Sequence, residues 1–228
     1  MFPQANPPHA VIFDVDGTLL DSVDLHAKAW VDAFSDYGHR VSFDDVRRQI
    51  GKGGDQLLPV FLNPGEIEAS GEALQAHRGD ILKRRYLPLM KPFAGVRLLL
   101  ERVHDAGIQV ALASSANRDE LNSYKKILDI VDLIDVETSA DDAERSKPHP
   151  DIFQAVAKRL EGTSRRHMIA IGDTPYDAEA AGKADIATIG VLCGGWAEDE
   201  LRQAGCIAIY KDPADLLASF DSWQGIGQ

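Results

Sequence analysis

The 228-residue sequence predicts an α/β protein, a doubly wound parallel sheet interrupted by an all-helical insertion. Three observations predict it. Short apolar runs ending in polar clusters recur, as at residues 10–13, 108–113 and 167–171. Stretches with apolar residues at helical spacing separate them, and such alternation indicates parallel strands covered by helices. No strand pattern occurs from Leu19 to about Met90, so that stretch is predicted to be helical.

In chain order, Met1 to His9, with Pro3, Pro7 and Pro8, is a loose lead-in. Ala10-Val11-Ile12-Phe13 is a buried strand, apolar throughout because a parallel strand is covered on both faces. Helical spacing follows at 21–38, where Leu25, Ala29, Trp30, Ala33, Phe34 and Tyr37 recur, then at 43–50 and 64–85. The insertion is placed at 21–90 and the core at 1–20 plus 91–228. After Lys91-Pro92-Phe93, a helix over 96–106 is ended by Gly107, and the strand 108–113 runs into Ser114-Ser115. A helix from about 119 to 128 precedes a short strand around 133–136. The helix 151–160, the strand 167–171 and the segments 178–184, 188–192, 197–204, 207–210 and 213–220 complete the alternation. There is no internal repeat and no low-complexity tract.

The composition, 44% hydrophobic and 26% charged, is that of a globular chain. A net charge of -12 disfavours nonspecific binding to nucleic acid or anionic membranes. An acidic protein that handles an anion must build a local positive site. Cys193 and Cys206 lack metal-site spacing and are expected at strand ends as small apolar residues. No signal peptide or membrane-length apolar run is seen, and the expected compartment is the cytoplasm.

Asp14-Val15-Asp16-Gly17-Thr18 closes the first strand, at the sheet edge where open α/β proteins place their chemistry. If the strand continues that far, Asp14 and Asp16 share a face and need a cation or a proton between them. A solvated Asp-Gly turn is the plain alternative. A calcium loop fails, since Thr18, Leu19 and Leu25 stand where it needs an acid, glycine and glutamate. Ser114, Lys147 in Arg145-Ser146-Lys147-Pro148, and Gly172-Asp173-Thr174-Pro175-Tyr176-Asp177 would converge on the same edge.

This ordered set resembles the haloacid dehalogenase superfamily over about residues 9–220. Asp14 to Thr18 looks like its first motif, Ser114 its second, Lys147 its third, and Gly172-Asp173 with Asp177 its fourth. The insertion resembles a C1 cap on a Rossmann-like core. Asp21-Ser22 through His26 and Trp30, with Ser146 to Phe153, look close to the β-phosphoglucomutase and phosphoglycolate phosphatase branch. The resemblance implies a magnesium-dependent phosphatase of a small phosphorylated metabolite, a sugar phosphate or similar phosphoester, working through an aspartyl-phosphate intermediate, monomeric or homodimeric. Asp14 would be the nucleophile and Asp16 the general acid and base, with the pKa of Asp16 raised and that of Asp14 low. Mg2+ would be held by the carboxylates of Asp14 and Asp173 and the backbone carbonyl of Asp16. Lys147, Ser114 and backbone N–H groups near Gly17, Thr18 and Ser115 would bind phosphate. Asp177 would orient Lys147 or a water on the metal. A phosphomutase, a dehalogenase and a silent binding module are the competing readings, and Asp16 argues against the dehalogenase.

Structural roles compete at several positions. Thr174, Pro175 and Asp177 also form a helix start, with a cap, a first-turn proline and an acid at N3. Ser114 and Ser115 also suit a turn before a helix capped by Asn117. Lys147 by itself is a loop lysine. In the insertion, Gly51-Lys52-Gly53-Gly54 allows close approach and a substrate-facing charge, or is a flexible polar turn. His26 resembles a hinge histidine, or is simply packed beside Trp30. Lys83-Arg84-Arg85 is a solvated helix face and Gly194-Gly195-Trp196 shapes a loop.

Overall fold

The computed structural model describes residues 7–223, so most of the lead-in and the last five positions of the core lie outside the described residues. Strand β1 (Ala10–Phe13) leads through the acidic turn to a two-residue β2 (Leu20–Asp21), which pairs antiparallel with β3 (Lys91–Pro92). Between them run α1 (Val23–Asp36), α2 (Phe43–Arg47), α3 (Gly54–Phe61), α4 (Pro64–Glu66) and α5 (Glu72–Ile81). Wider π-type turns at Ile67–Gly71 and Leu82–Tyr86 join and extend the last two helices. Asn63 and Glu66 start this run with a reciprocal capping box. The ribbon was not predicted, because two residue pairs are too few to carry a period.

The rest alternates as α6 (Val96–Asp105), β4 (Gln109–Ala113), α7 (Arg118–Leu128), β5 (Val136–Thr138), α8 (Asp151–Arg159) and β6 (Met168–Gly172). Then come α9 (Pro175–Lys183), β7 (Ala187–Val191), α10 (Glu198–Gln203), β8 (Cys206–Tyr210), α11 (Pro213–Ala218) and α12 (Phe220–Trp223). The strand expected around 133–136 lies instead at Val136–Thr138. Leu133 is buried as part of a 3-10 turn (Val131–Leu133), and that apolar residue drew the expectation forward.

The sheet is parallel in the order β5-β4-β1-β6-β7-β8. From β1 the chain builds outward through β4 to β5, then crosses back to β6 on the other side of β1. The order therefore reverses at β1, and a crevice opens beyond the strand ends there. Phe13 lies opposite both Leu112 and Ile171, so β1, β4 and β6 end almost flush. One face packs Ala10, Ile12, Ala111 and Ala170 against α8 and α9 residues. On the other, Val11, Phe13 and Leu112 join one continuous cluster with Trp30, Phe34, Leu57 and Leu74 of the insertion.

Candidate active site

The crevice is filled by Asp14, Thr18, Lys147, Asp173 and Asp177, all buried. Lys147 donates to Asp14 Oδ1 at 2.6 Å and to the Ala113 carbonyl at 2.8 Å. Its Nζ also lies 2.8 Å from Asp177 Oδ1 as an ion pair. It is thus no solvated loop lysine. Burial alone would lower its pKa, but the Asp14 and Asp177 carboxylates outweigh burial and hold it above its ordinary value. Asp177 pairs with Lys147 and also starts a helix. Its Oδ2 accepts from Thr174 N at 3.1 Å and Thr174 Oγ1 at 2.6 Å, closing the capping box of α9.

Asp14, Asp173 and Asp177 each place an oxygen within 4.8 Å of the others. With Lys147 the four groups sum to two negative charges. Thr18 Oγ1 stands 3.1 Å from both Asp14 Oδ2 and Asp173 Oδ1, yet a hydroxyl has one hydrogen to donate. Asp173 Oδ2 is buried and has no hydrogen-bond partner among the described residues. A Cβ on Gly17 or Gly194 would overlap this oxygen, and Gly17 also has φ +87°. An orphaned oxygen, too few donors and a twofold charge deficit together fit a divalent cation held by Asp14 and Asp173. Burial, reinforced by Asp177 and opposed by Lys147, raises the Asp14 pKa to about 7. Asp173 is raised too, by burial and then by Asp14 and Asp177.

A pH dependence follows. The folded chain holds the Asp14 proton more tightly than the unfolded chain does. Asp14 therefore contributes no destabilisation below its ordinary pKa of 3.8 and an increasing one as pH rises toward about 7. A cation must displace that proton. Mg2+ at about 100 times its Kd should raise Tm by about 5 °C or more at about pH 8. The shift should be much smaller at about pH 5. Thermal denaturation with Mg2+ and with chelator checks this, and equal shifts at both pH values would contradict it.

Asp16 departs from expectation. The strand ends at Phe13, the chain turns, and the Asp16 side chain faces the insertion instead of sharing a partner with Asp14. Its Oδ1 accepts from Ser22 Oγ at 2.6 Å and pairs with His26 Nε2 at 2.8 Å. Burial works against its ionisation, but His26, Ser22 and Arg78 outweigh burial and hold its pKa below the ordinary value. The expected order, Asp16 raised and Asp14 low, is therefore reversed in the protein's own groups. Ser22 stands at the N-cap of α1 without capping it, because its hydroxyl is committed to Asp16.

The phosphate-binding expectation also needs correction. The turn commits Gly17 N–H to Leu20 O and Thr18 N–H to Val15 O, so neither is free for an anion. Among the described residues, the N–H groups of Val15, Asp16 and Ser115 have no acceptor. Ser114 is fully buried, and its Oγ accepts from Ala116 N at 3.1 Å. Its own O–H has no acceptor among the described residues. Ser115 Oγ donates to Gly51 O at 3.0 Å, tying the core to the insertion.

Gly51 to Gly54 is a pressed contact and no flexible turn. A Cβ on Gly51 would come 2.8 Å from Thr174 Cγ2, and one on Gly53 would overlap Ser146 Oγ. Lys52 Nζ donates to Gln49 Oε1 at 2.7 Å and sits 4.6 Å from the centre of the Tyr176 ring. Nearby, Arg48 lies 4.3 Å over the Trp196 ring, its carbonyl accepts from Tyr176 O–H at 2.7 Å, and it pairs with Glu200 at 2.6 Å. Gly53 has φ -77° and ψ 169°, which alanine tolerates, so Gly53→Ala acts through the overlap of its Cβ with Ser146 and with Asp55 Oδ1. It should lower kcat/KM about tenfold or more while Tm moves by only about 3 °C or less. Steady-state kinetics beside thermal denaturation checks both halves.

Sequence reasoning missed Arg78. Its NH2 lies 2.6 Å from His26 Nδ1 and its NH1 donates to Glu120 at 3.0 Å. Because guanidinium only donates, Nδ1 accepts from Arg78, and Nε2 is the ring nitrogen that donates to Asp16. The signal was present, since Leu74, Arg78, Ile81 and Leu82 share one helical face and Arg78 is a cation on that apolar stripe. Asp14, Asp16, His26, Lys52, Arg78 and Ser115 border a chamber of about 30 Å³, room for about two waters. Trp30, Lys52, Arg78 and Ser115 also border a cleft of about 850 Å³ between insertion and core. No helix among the described residues is long and apolar enough to cross a membrane.

Fold and site define an α/β protein whose sheet reverses at a centre suited to a divalent cation and an anion. The model of the haloacid dehalogenase-like hydrolases matches residues 11–191, and the chain belongs to that family. It is 32% identical to a phosphorylated carbohydrates phosphatase of Thermotoga maritima, over 91% of this chain and 96% of that one. It is 24% identical to a pyrophosphatase of Halalkalibacterium halodurans, over 92% and 95% of the two chains. A solved hydrolase from Pseudomonas syringae superposes with TM-score 0.84 at 29% identity, over 94% and 98% of the two chains.

Proposed function

We propose that the protein is a magnesium-dependent phosphatase of small phosphorylated metabolites, working through a phosphoryl group carried on Asp14. The observation that carries this reading is the buried Lys147 held 2.6 Å from the Asp14 carboxylate beside three uncommitted backbone N–H groups. A carboxylate nucleophile needs no base, but its charge repels a phosphate. Asp14, Asp173 and the Asp16 carbonyl would hold a Mg2+, whose positive charge would offset this repulsion. Lys147, the N–H groups of Val15, Asp16 and Ser115, and the Ser114 hydroxyl hold the phosphoryl oxygens.

Asp14 attacks phosphorus, and the bond to the leaving oxygen breaks as Asp16 gives that oxygen a proton. Water then attacks phosphorus, Asp16 takes its proton, and phosphate leaves with Asp14 restored. To do this, Asp16 must leave His26 and Arg78, which hold its pKa low, and take up a proton from solvent before it meets the leaving oxygen. The insertion, placed at 21–90, acts as the cap that excludes bulk water, with Gly51, Lys52, Gly53 and His26 facing the substrate from it. Kinship with relatives named for phosphatase activity supports the reading.

The test is turnover of a panel of phosphorylated metabolites with Mg2+ and with chelator, recording free phosphate and isomerised sugar phosphate. Phosphate release that requires Mg2+ is the expected result. Isomerisation without matching phosphate release would make the protein a mutase, and no turnover would sink the reading.

A further inference from the structure

We propose that Arg47, in α2 of the insertion, is a positioning residue for the cation: it fixes the loop against which the Asp173 carboxylate is set, so that docking of α2 on the core sets the affinity for Mg2+. This rests on the cation site of the phosphatase reading above. One oxygen of Asp173 is placed by a donor and the other is not. Thr18 Oγ1 stands 3.1 Å from Oδ1, while Oδ2 has no hydrogen-bond partner among the described residues. Packing therefore locates Oδ2, between Gly17 of the acidic turn and Gly194 of the loop after β7. A Cβ on Gly194 would fall 1.7 Å from it and one on Gly17 2.4 Å from it, so both backbones lie directly against the oxygen.

The Gly194 wall is in turn held from the insertion. Arg47 NH2 donates to the Gly194 carbonyl at 3.0 Å, and among the described residues nothing else donates to that oxygen. The guanidinium also lies on Gly195, where a Cβ would come 2.6 Å from NH2. Asp24, in the first turn of α1, pairs with Arg47 Nε at 2.7 Å and fixes the orientation of the guanidinium. At the other end of the loop, Cys193 Sγ donates to the Gly17 carbonyl at 3.1 Å, joining the two walls between which Oδ2 is set.

The contacts run from α2 to a cation ligand in three steps: guanidinium to carbonyl, carbonyl to its own Cα, and Cα to Oδ2. When α2 moves off the core, Arg47 leaves Gly194 and Oδ2 loses a fixed wall. The carboxylate then has more arrangements to give up when a cation binds, and affinity falls. Such coupling is reciprocal, so a bound cation strengthens the grip of α2 on the loop. Arg48 makes a separate contact between α2 and the core, over the Trp196 ring and with Glu200, beyond Gly194 and Gly195. It is the matched control, because its loss loosens α2 without releasing the Gly194 carbonyl.

The test measures Mg2+ affinity in the absence of substrate, by calorimetry at about pH 8, for the wild type, Arg47→Ala and Arg48→Ala, with the Tm of each in chelator. Arg47→Ala should raise the Kd for Mg2+ about fivefold, less than the roughly 10–100-fold lost with a partner bonded to the ligand itself, because Arg47 acts one residue away. Its Tm in chelator should fall by only about 3 °C or less, since the arginine is half-buried and its ion pair reaches solvent. Arg48→Ala should leave the Kd within about twofold of wild type. A rise below about threefold in Arg47→Ala, or an equal loss of affinity in Arg48→Ala, would overturn the proposal. Wild type that binds no Mg2+ would defeat the cation site and the phosphatase reading with it, whereas wild-type binding that Arg47→Ala leaves unmoved would defeat this proposal alone.

Discussion

Asp14→Asn should lower kcat about 10⁴-fold or more while leaving the fold intact, the scale on which loss of a nucleophile acts. The amide is nearly isosteric: its oxygen can accept from Lys147 in place of Oδ1, and its NH2, in place of Oδ2, can donate to Thr18 Oγ1, so packing changes little. It cannot form the bond to phosphorus that the proposed cycle requires. The loss should fall on kcat, because the N–H groups of Val15, Asp16 and Ser115 still receive the phosphoryl oxygens. Substitution also removes a negative charge from a cluster whose groups sum to minus two, so Tm measured without Mg2+ should hold or rise. Burial already holds Asp14 at about 7, so its ionised form is a strained one. Full activity in the variant would remove Asp14 from the mechanism.

Lys147→Met should carry the largest cost to the fold. The ammonium is fully buried and meets Asp14, Asp177 and the Ala113 carbonyl within 2.8 Å. Deleting one member of a buried charge network leaves its partners uncompensated, at a cost of about 3–5 kcal/mol. Against a typical total of about 5–15 kcal/mol that is a large share. Asp177 would lose the cation that one oxygen faces, while its other oxygen still caps α9. Because the carboxylates drive the loss, it should shrink at acid pH, where Asp14 takes up a proton. Activity should fall about 10³-fold, as when a preorganised group on a developing charge is removed. Urea denaturation at about pH 5 and pH 8, beside steady-state kinetics, tests both effects. A midpoint unchanged at pH 8 with retained activity would show Lys147 to be passive.

The core of the fold was legible because each central strand is an apolar run covered on both faces, as Ala10 to Phe13 shows. The edge strand β5 was misplaced because Val136-Glu137-Thr138 is short and half-exposed, while the apolar signal belonged to Leu133 in a turn. In the site, Asp14 and Asp173 could be found because each directly follows a strand, and Lys147, in the loop after β5, and Asp177, in the first turn of α9, because they stand in a motif order with them. The partners of Asp16 could not. Ser22, His26 and Arg78 act on it from 6, 10 and 62 positions along the chain, and no local period reports such a meeting. Backbone donors were equally hidden. Which N–H groups of the acidic turn stay free depends on the turn's own hydrogen bonds, and these engage Gly17 and Thr18 instead of Val15 and Asp16.

The central claim is that phosphorus becomes bonded to Asp14. The direct measurement is to quench turning-over enzyme in acid, reduce it with borohydride, and sequence the Asp14 peptide by mass spectrometry. The account predicts homoserine at position 14, formed only when both substrate and Mg2+ were present. An unmodified Asp14 under rapid turnover, with the label found elsewhere or nowhere, would contradict it.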